Sequence, residues 1–201
     1  VRPPLMMKSA ADAGKPAVIV AGTGPVGLIA ALAFGRDGFS VSLVGPPVRG
    51  DDRRTTALMM PALEFLDRLG LRGAIEQNGA PLRTMRIVDG TTRLVRSQTV
   101  SFRASEIDED AFGINIPNLA LNRILSEAVE AESRITWIRS LVDHWSLGED
   151  IAVATLADGS RLEGALVVAA VGRASPAREA AGIQVTTRDW PQSALVLNFS
   201  H

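Results

Sequence analysis

The segment Gly22-Thr23-Gly24-Pro25-Val26-Gly27 constrains this chain more than any other. It is a G-x-G-x-x-G turn, and its flanks give it meaning. Ala17-Val18-Ile19-Val20-Ala21 precedes it, an apolar run rich in β-branched residues, as a parallel strand buried on both faces requires. Leu28 to Arg36 follows as a helix of small and apolar residues, ended by Gly38. Phe39 to Val44 reads as a second strand. Strand, turn, helix and strand make a β-α-β unit, which implies a right-handed crossover and a parallel sheet. In that setting Gly22 permits the tight turn, Gly24 lets the backbone approach a pyrophosphate, and Gly27 lets the helix pack closely. The helix start offers unpaired amides and the positive end of its dipole to phosphates. The candidate dinucleotide contacts are therefore Gly22, Gly24, Pro25, Val26 and Gly27.

One expected part is missing. The second strand of such a unit normally closes on an acidic residue that accepts hydrogen bonds from the adenosine ribose. Here that position is Gly45. The ribose hydroxyls must turn to water or backbone, at a cost of about 1.5–3 kcal/mol, typical of a hydrogen bond to a charged group.

Further along, Thr55 to Leu69 reads as a helix with Leu58, Leu63, Phe65, Leu66 and Leu69 mostly on one face. Leu82 to Val88 and Leu94 to Phe102 read as antiparallel strands joined by an Asp89-Gly90 turn. Ser105 to Asp110 is acidic and expected to be solvated. Asn118 to Ala131 reads as a helix and Ile135 to Ile138 as a strand. Leu141 to Leu147 and Ile151 to Leu156 form a hairpin, and Asp158-Gly159 leads into another strand. Ala165 to Val171 is expected to be a second buried strand, Gly172 to Gly182 a loop with a short helical piece, and Ala194 to Phe199 a last strand.

Composition removes several function classes. The chain has 201 residues, 46% of them hydrophobic, a net charge of -1 and no cysteine. Nothing in that balance attracts nucleic acid. Disulfides, thiolate metal sites and cysteine nucleophiles are excluded. His144 and His201 make no metal site by themselves, and no G-x-S-x-G elbow is present. Val1 to Lys15 reads as a loose tail, not a signal peptide. No apolar stretch reaches the ~20 residues that cross a bilayer, so a soluble, cytoplasmic protein is expected.

Three segments narrow the reading. Asp52-Arg53-Arg54-Thr55-Thr56-Ala57-Leu58 resembles the D-x-R-x-x-A-L segment of the ubiquinone-biosynthesis hydroxylases, class A FAD-dependent aromatic monooxygenases. Asn122-Arg123-Ile124-Leu125 is similar to their N-R-x-L helix start. Val167 to Arg178 resembles their V-V-G-A-D-G-x-x-S-x-x-R segment, with Val171 in place of its aspartate. By this resemblance Arg54, Arg123, Gly172 and Arg173 join the cofactor contacts. A guanidinium beside a pyrophosphate is a favourable pairing, although an arginine on an amphipathic helix is also at home as a solvated charge.

The resemblance implies an α/β, Rossmann-like FAD/NAD(P)-binding fold with a parallel sheet, β-hairpin insertions and an incomplete substrate-domain sheet. The expected layout is a flexible tail over 1–15, an FAD-binding domain over 16–185 with part of the substrate sheet inserted at about 80–105, and the start of a substrate domain over 186–201. The implied cofactor is FAD, with NAD(P)H as reductant, and the implied reaction is hydroxylation of a phenolic or other aromatic substrate. No catalytic side chain is expected, because the cofactor carries the chemistry. The family's substrates often bear a prenyl tail, which allows peripheral membrane contact. The family's second flavin motif, G-D-A-A-H, does not occur here, so the chain is expected to be a fragment or a shortened paralogue. In the second case it would serve as a non-catalytic partner of intact hydroxylases. An unpaired edge at Ala194 to Phe199 would then favour homo-oligomers. A nicotinamide-dependent dehydrogenase is the third reading, and the segments at 54–58 and 122–125 speak against it.

Overall fold

The computed structural model describes residues 17–48, 50–173 and 175–195. β1 (Val18–Ala21) is at most 1% exposed, as its unbroken apolar run requires. α1 (Pro25–Arg36) starts at Pro25 rather than Leu28, because proline fits the first helical position, where its missing amide costs nothing. β2 (Val41–Val44) is buried throughout. The helix expected over Thr55 to Leu69 is corrected: Thr55–Met59 is a strand, β3, and only Met60–Arg68 is helical, as α2. Two β-branched threonines lead the segment, and Pro61 sits in the first helical turn, where proline starts a helix instead of continuing one.

α3 (Arg72–Asn78) and β4 (Ala80–Pro81) follow, and the hydrophobic pattern reveals neither. The long hairpin expected over 82–102 is also corrected. Its strands are only β5 (Thr84–Ile87) and β6 (Val100–Arg103). Asp89 does not close a two-residue turn; its carboxylate accepts amide bonds from Thr91 (3.0 Å) and Ser97 (2.9 Å) and organises a longer loop. A 3-10 turn covers Ala104–Ile107, and β7 (Gly113–Pro117) is a further strand that the pattern leaves hidden. α4 (Asn118–Ala131), β8 (Ile135–Ile138), β9 (Val142–Leu147), β10 (Ala152–Leu156), β11 (Arg161–Gly164), β12 (Leu166–Ala169) and α5 (Pro176–Ala180) fall where the sequence puts them. The tail over 1–15 lies outside the described residues. So does most of the strand expected from Ala194 to Phe199; Ala194 and Leu195 themselves are not in a strand.

The chain divides into two compact units, one of Val1–Gly50 with Leu125–His201 and one of Asp51–Ile124. The first is built on a parallel sheet in the order β12-β1-β2-β8, with Ala21 level with both Val44 and Ala169. The chain runs outward from β1 through β2 to β8, then returns to the other side of β1 as β12. That reversal puts a topological switch point between β1 and β12, where open α/β sheets bind their ligands. The antiparallel sheet β11-β10-β9 shares a core with the parallel one, in which Trp145, Ala154, Leu156 and Leu162 pack with Ile19, Ala21 and Val44. β12 is less buried than expected. It pairs with β1 and is the sheet's edge among the described residues, leaving Leu166 44% exposed.

In the second unit β3, β7 and β4 form an antiparallel sheet, with Leu58 opposite Ile114. Leu63, Leu66, Ile75 and Ile116 are almost completely buried there. β5 and β6 make a separate ribbon, pairing Met85 with Phe102 and Ile87 with Val100. Alternation puts those four apolar residues on one face and Thr84, Arg86, Ser101 and Arg103 on the other. All four apolar side chains are at least 41% exposed.

Candidate functional site

The first unit carries a cleft of about 560 Å³ outside the carboxyl ends of β1, β2 and β12. Its floor and walls come from Ala21 to Gly24, Val44 to Pro46 and Ala170 to Gly172, with Leu141, Val142, Trp145 and Pro176 closing one side. The cleft therefore occupies the switch point.

The three glycines of the turn behave differently. Gly22 has φ +108°, and its amide donates to the Val44 carbonyl at 2.8 Å. A Cβ there would run into the backbone of Ala170. A Cβ at Gly27 would run into the Gly22 carbonyl, so that glycine sets how closely α1 approaches the turn. At Gly24 a Cβ would meet nothing within 4 Å. The open position is the one lining the cleft, as a site for an approaching diphosphate demands. Gly24 caps α1 without any side-chain bond, and the helical ladder begins with the Leu28 amide donating to the Gly24 carbonyl at 3.0 Å. The amides of Val26 and Gly27 belong to the first turn, which such a ladder leaves unpaired. Pro25 has no amide to offer and contributes the fixed start of the helix.

Gly172, with φ +82°, lines the opposite wall beside Val171. Arg173 is exposed, and its carbonyl accepts a bond from Arg178 Nη1 at 3.0 Å. Ser175 caps α5 by accepting from the Arg178 amide at 3.3 Å. Both bonds brace the loop after β12.

Arg54 and Arg123 lie in the second unit. Arg54 is gripped from one side: its Nε and Nη2 donate to the two carboxylate oxygens of Asp52, each at 2.8 Å. Asn118 Nδ2 donates to the same carboxylate at 2.8 Å, and Asn118 Oδ1 accepts from the Thr56 hydroxyl at 2.6 Å. The Arg54 guanidinium, with help from Asn118, holds the Asp52 carboxyl well below the usual carboxylate range. The pair lies at the surface, so it orients Arg54 more than it stabilises the unit. Arg123 Nη2 reaches Asn78 Oδ1 at 3.3 Å. Asn122, beside it, is 7% exposed, and its buried Oδ1 has no partner.

Sequence reasoning missed the side chains that shape the cleft's rim. Thr23, Trp145 and Pro176 line it, and Trp137 donates from Nε1 to the Gly45 carbonyl at 3.0 Å. Trp145 is the one buried residue of β9. His144 is exposed on β9 beside it. Among the described residues no cluster of three or more His, Cys, Asp or Glu could hold a metal. Also among them, no helix is long and apolar enough to cross a membrane.

Comparison with known proteins agrees with this geometry. The family model described as FAD binding domain matches residues 15–200. The ubiquinone hydroxylase UbiL of Rhodospirillum rubrum is 29% identical over 198 residues, which cover 92% of this chain and 43% of that protein. The 3-demethoxyubiquinol 3-hydroxylase of Escherichia coli is 26% identical over 194 residues, covering 90% of this chain and 47% of that one. The chain thus spans less than half the length of these curated relatives. Among solved structures, p-nitrophenol 4-monooxygenase PnpA from Pseudomonas putida DLL-E4 superimposes with a TM-score of 0.68 at 22% identity, over 84% of this chain and 43% of its own. PqsL, a probable FAD-dependent monooxygenase from Pseudomonas aeruginosa, gives 0.69 at 24%, over 88% and 48%. At these identities the structural likeness establishes the Rossmann-like α/β fold.

Proposed function

The chain belongs to the FAD binding domain family, and from that premise we propose that it forms the nucleotide-binding part of an FAD-dependent monooxygenase that hydroxylates an aromatic substrate, with NAD(P)H as reductant. A phenol of the ubiquinone-biosynthesis type is the substrate class that fits the relatives named above. The observation that carries the reading is the open cleft at the switch point, where Gly24 alone of the three turn glycines leaves room for a diphosphate. A filled cleft would have favoured a non-catalytic interaction partner.

In this reading Gly22, Gly24 and Gly172 form the walls around the diphosphate. The amides of Val26 and Gly27, with the α1 dipole, neutralise its charge. Arg173, on the loop after β12, supplies further positive charge, while Arg54 and Arg123 are cofactor contacts by the family resemblance alone. Bound FAD supplies the redox chemistry and the activation of dioxygen, while the chain supplies binding, orientation and exclusion of water.

Adding FAD to the purified chain tests this. Quenching of flavin fluorescence with a saturable curve is expected, followed by bleaching of the bound flavin's absorbance under anaerobic NADH or NADPH. A chain that leaves flavin fluorescence unchanged would overturn the proposal.

A further inference from the structure

At its ribose end the cleft is built differently from its phosphate end. β2 closes on Gly45, where a carboxylate would ordinarily receive the ribose hydroxyls. The space a side chain would enter at that position is already taken. A Cβ on Gly45 would lie 2.7 Å from Thr23 Cγ2 and 3.0 Å from Thr23 Oγ1. Thr23 is itself fixed: it is 8% exposed, and its hydroxyl donates to the Pro46 carbonyl at 2.5 Å. The Gly45 carbonyl receives Trp137 Nε1 at 3.0 Å. The carbonyls of Gly45 and Pro46 are therefore each engaged by a side chain of this unit.

On the reading that the cleft holds the ADP part of FAD, we infer that Thr23 and Gly45 act together as a specificity-determining pair that closes the ribose-reading position. The cleft then recognises its ligand through the diphosphate, and the ribose hydroxyls contribute little. Thr23 also makes the absence of an acid at 45 self-consistent, since the two side chains compete for one space.

Two measurements on the full chain test this. The first compares ADP with 2′,3′-dideoxy-ADP by calorimetry. Equal binding is expected, within about threefold, less than the tenfold that ~1.4 kcal/mol represents. A preference for ADP of about tenfold or more, the worth of a hydrogen bond to a charged group, would overturn the inference while leaving the FAD reading intact. Failure of both ligands to bind would overturn the FAD reading and this inference with it. The second is a double-mutant cycle of Thr23→Ala and Gly45→Glu read by chemical unfolding. Backbone strain at 45 is common to both backgrounds and cancels, so Gly45→Glu is expected to be less destabilising when Thr23 is alanine. Strict additivity would show that the two positions do not compete, and would overturn the pairing.

Discussion

The parallel sheet of the first unit and the β5–β6 ribbon of the second represent two ways of using a strand. β1 and β2 are buried along their whole length, and their ends turn directly into the cleft. The ribbon alternates cleanly, yet its apolar face of Met85, Ile87, Val100 and Phe102 stays exposed among the described residues. Burial on both faces leaves a strand no freedom of register, so the turn that follows it is placed accurately. An exposed ribbon has no such constraint from its surroundings. The site belongs on the first kind of strand because catalytic and cofactor geometry needs rigid support.

The largest effect that would sharpen this comparison is expected from Gly22→Val. The new side chain meets the backbone of Ala170 in a left-handed conformation that valine avoids. Loss of more than about 4 kcal/mol is expected in urea unfolding, a cost kept for special backbone sites. Full stability in that variant would mean that the turn is not locked to β12. Next, Leu43→Ala, at a completely buried position of β2, should cost about 2–5 kcal/mol. Ile87→Ala, at a position 57% exposed, should stay within about 0.5 kcal/mol. Equal costs at the two sites would break the contrast between the strands.

The smallest effect concerns Asp52. Its carboxyl is depressed in the folded chain, chiefly by the hydrogen bond from Arg54. A depressed acid contributes its full stabilisation above the unfolded value of ~3.9 and loses it as pH falls through the folded value. Carboxyl NMR should therefore find Asp52 still ionised below that ordinary value. In Arg54→Ala the resonance should titrate close to its ordinary range. An unshifted titration in the parent chain would show that Asp52 does not hold Arg54.

The same contrast explains what could be read from the sequence. β1, α1 and β2 are local in sequence and dense in signal, with an apolar run, three spaced glycines and a proline that starts the helix. α4 and the β9–β11 meander were legible for the same reason. β3, α3 and β7 were not. β3 and β7 pair across more than fifty residues, and the Thr55–Met59 stretch carries leucine and alanine that also suit a helix. Only the partner strand decides between the two, and a partner strand leaves no mark in a local pattern. In the cleft, the glycines were legible because each has a backbone reason to be glycine. Thr23 and Trp137 were not, because their roles come from hydrogen bonds to carbonyls at Pro46 and Gly45 that only the folded sheet brings near.

Gly24→Val tests most directly whether the turn at 22–24 holds a diphosphate. A Cβ there meets nothing within 4 Å beyond its chain neighbours, so unfolding in urea should shift by no more than about 0.5 kcal/mol. FAD affinity, measured by fluorescence quenching, should fall by at least about tenfold, equivalent to ~1.4 kcal/mol. A variant that folds like the parent and binds FAD equally well would contradict the account.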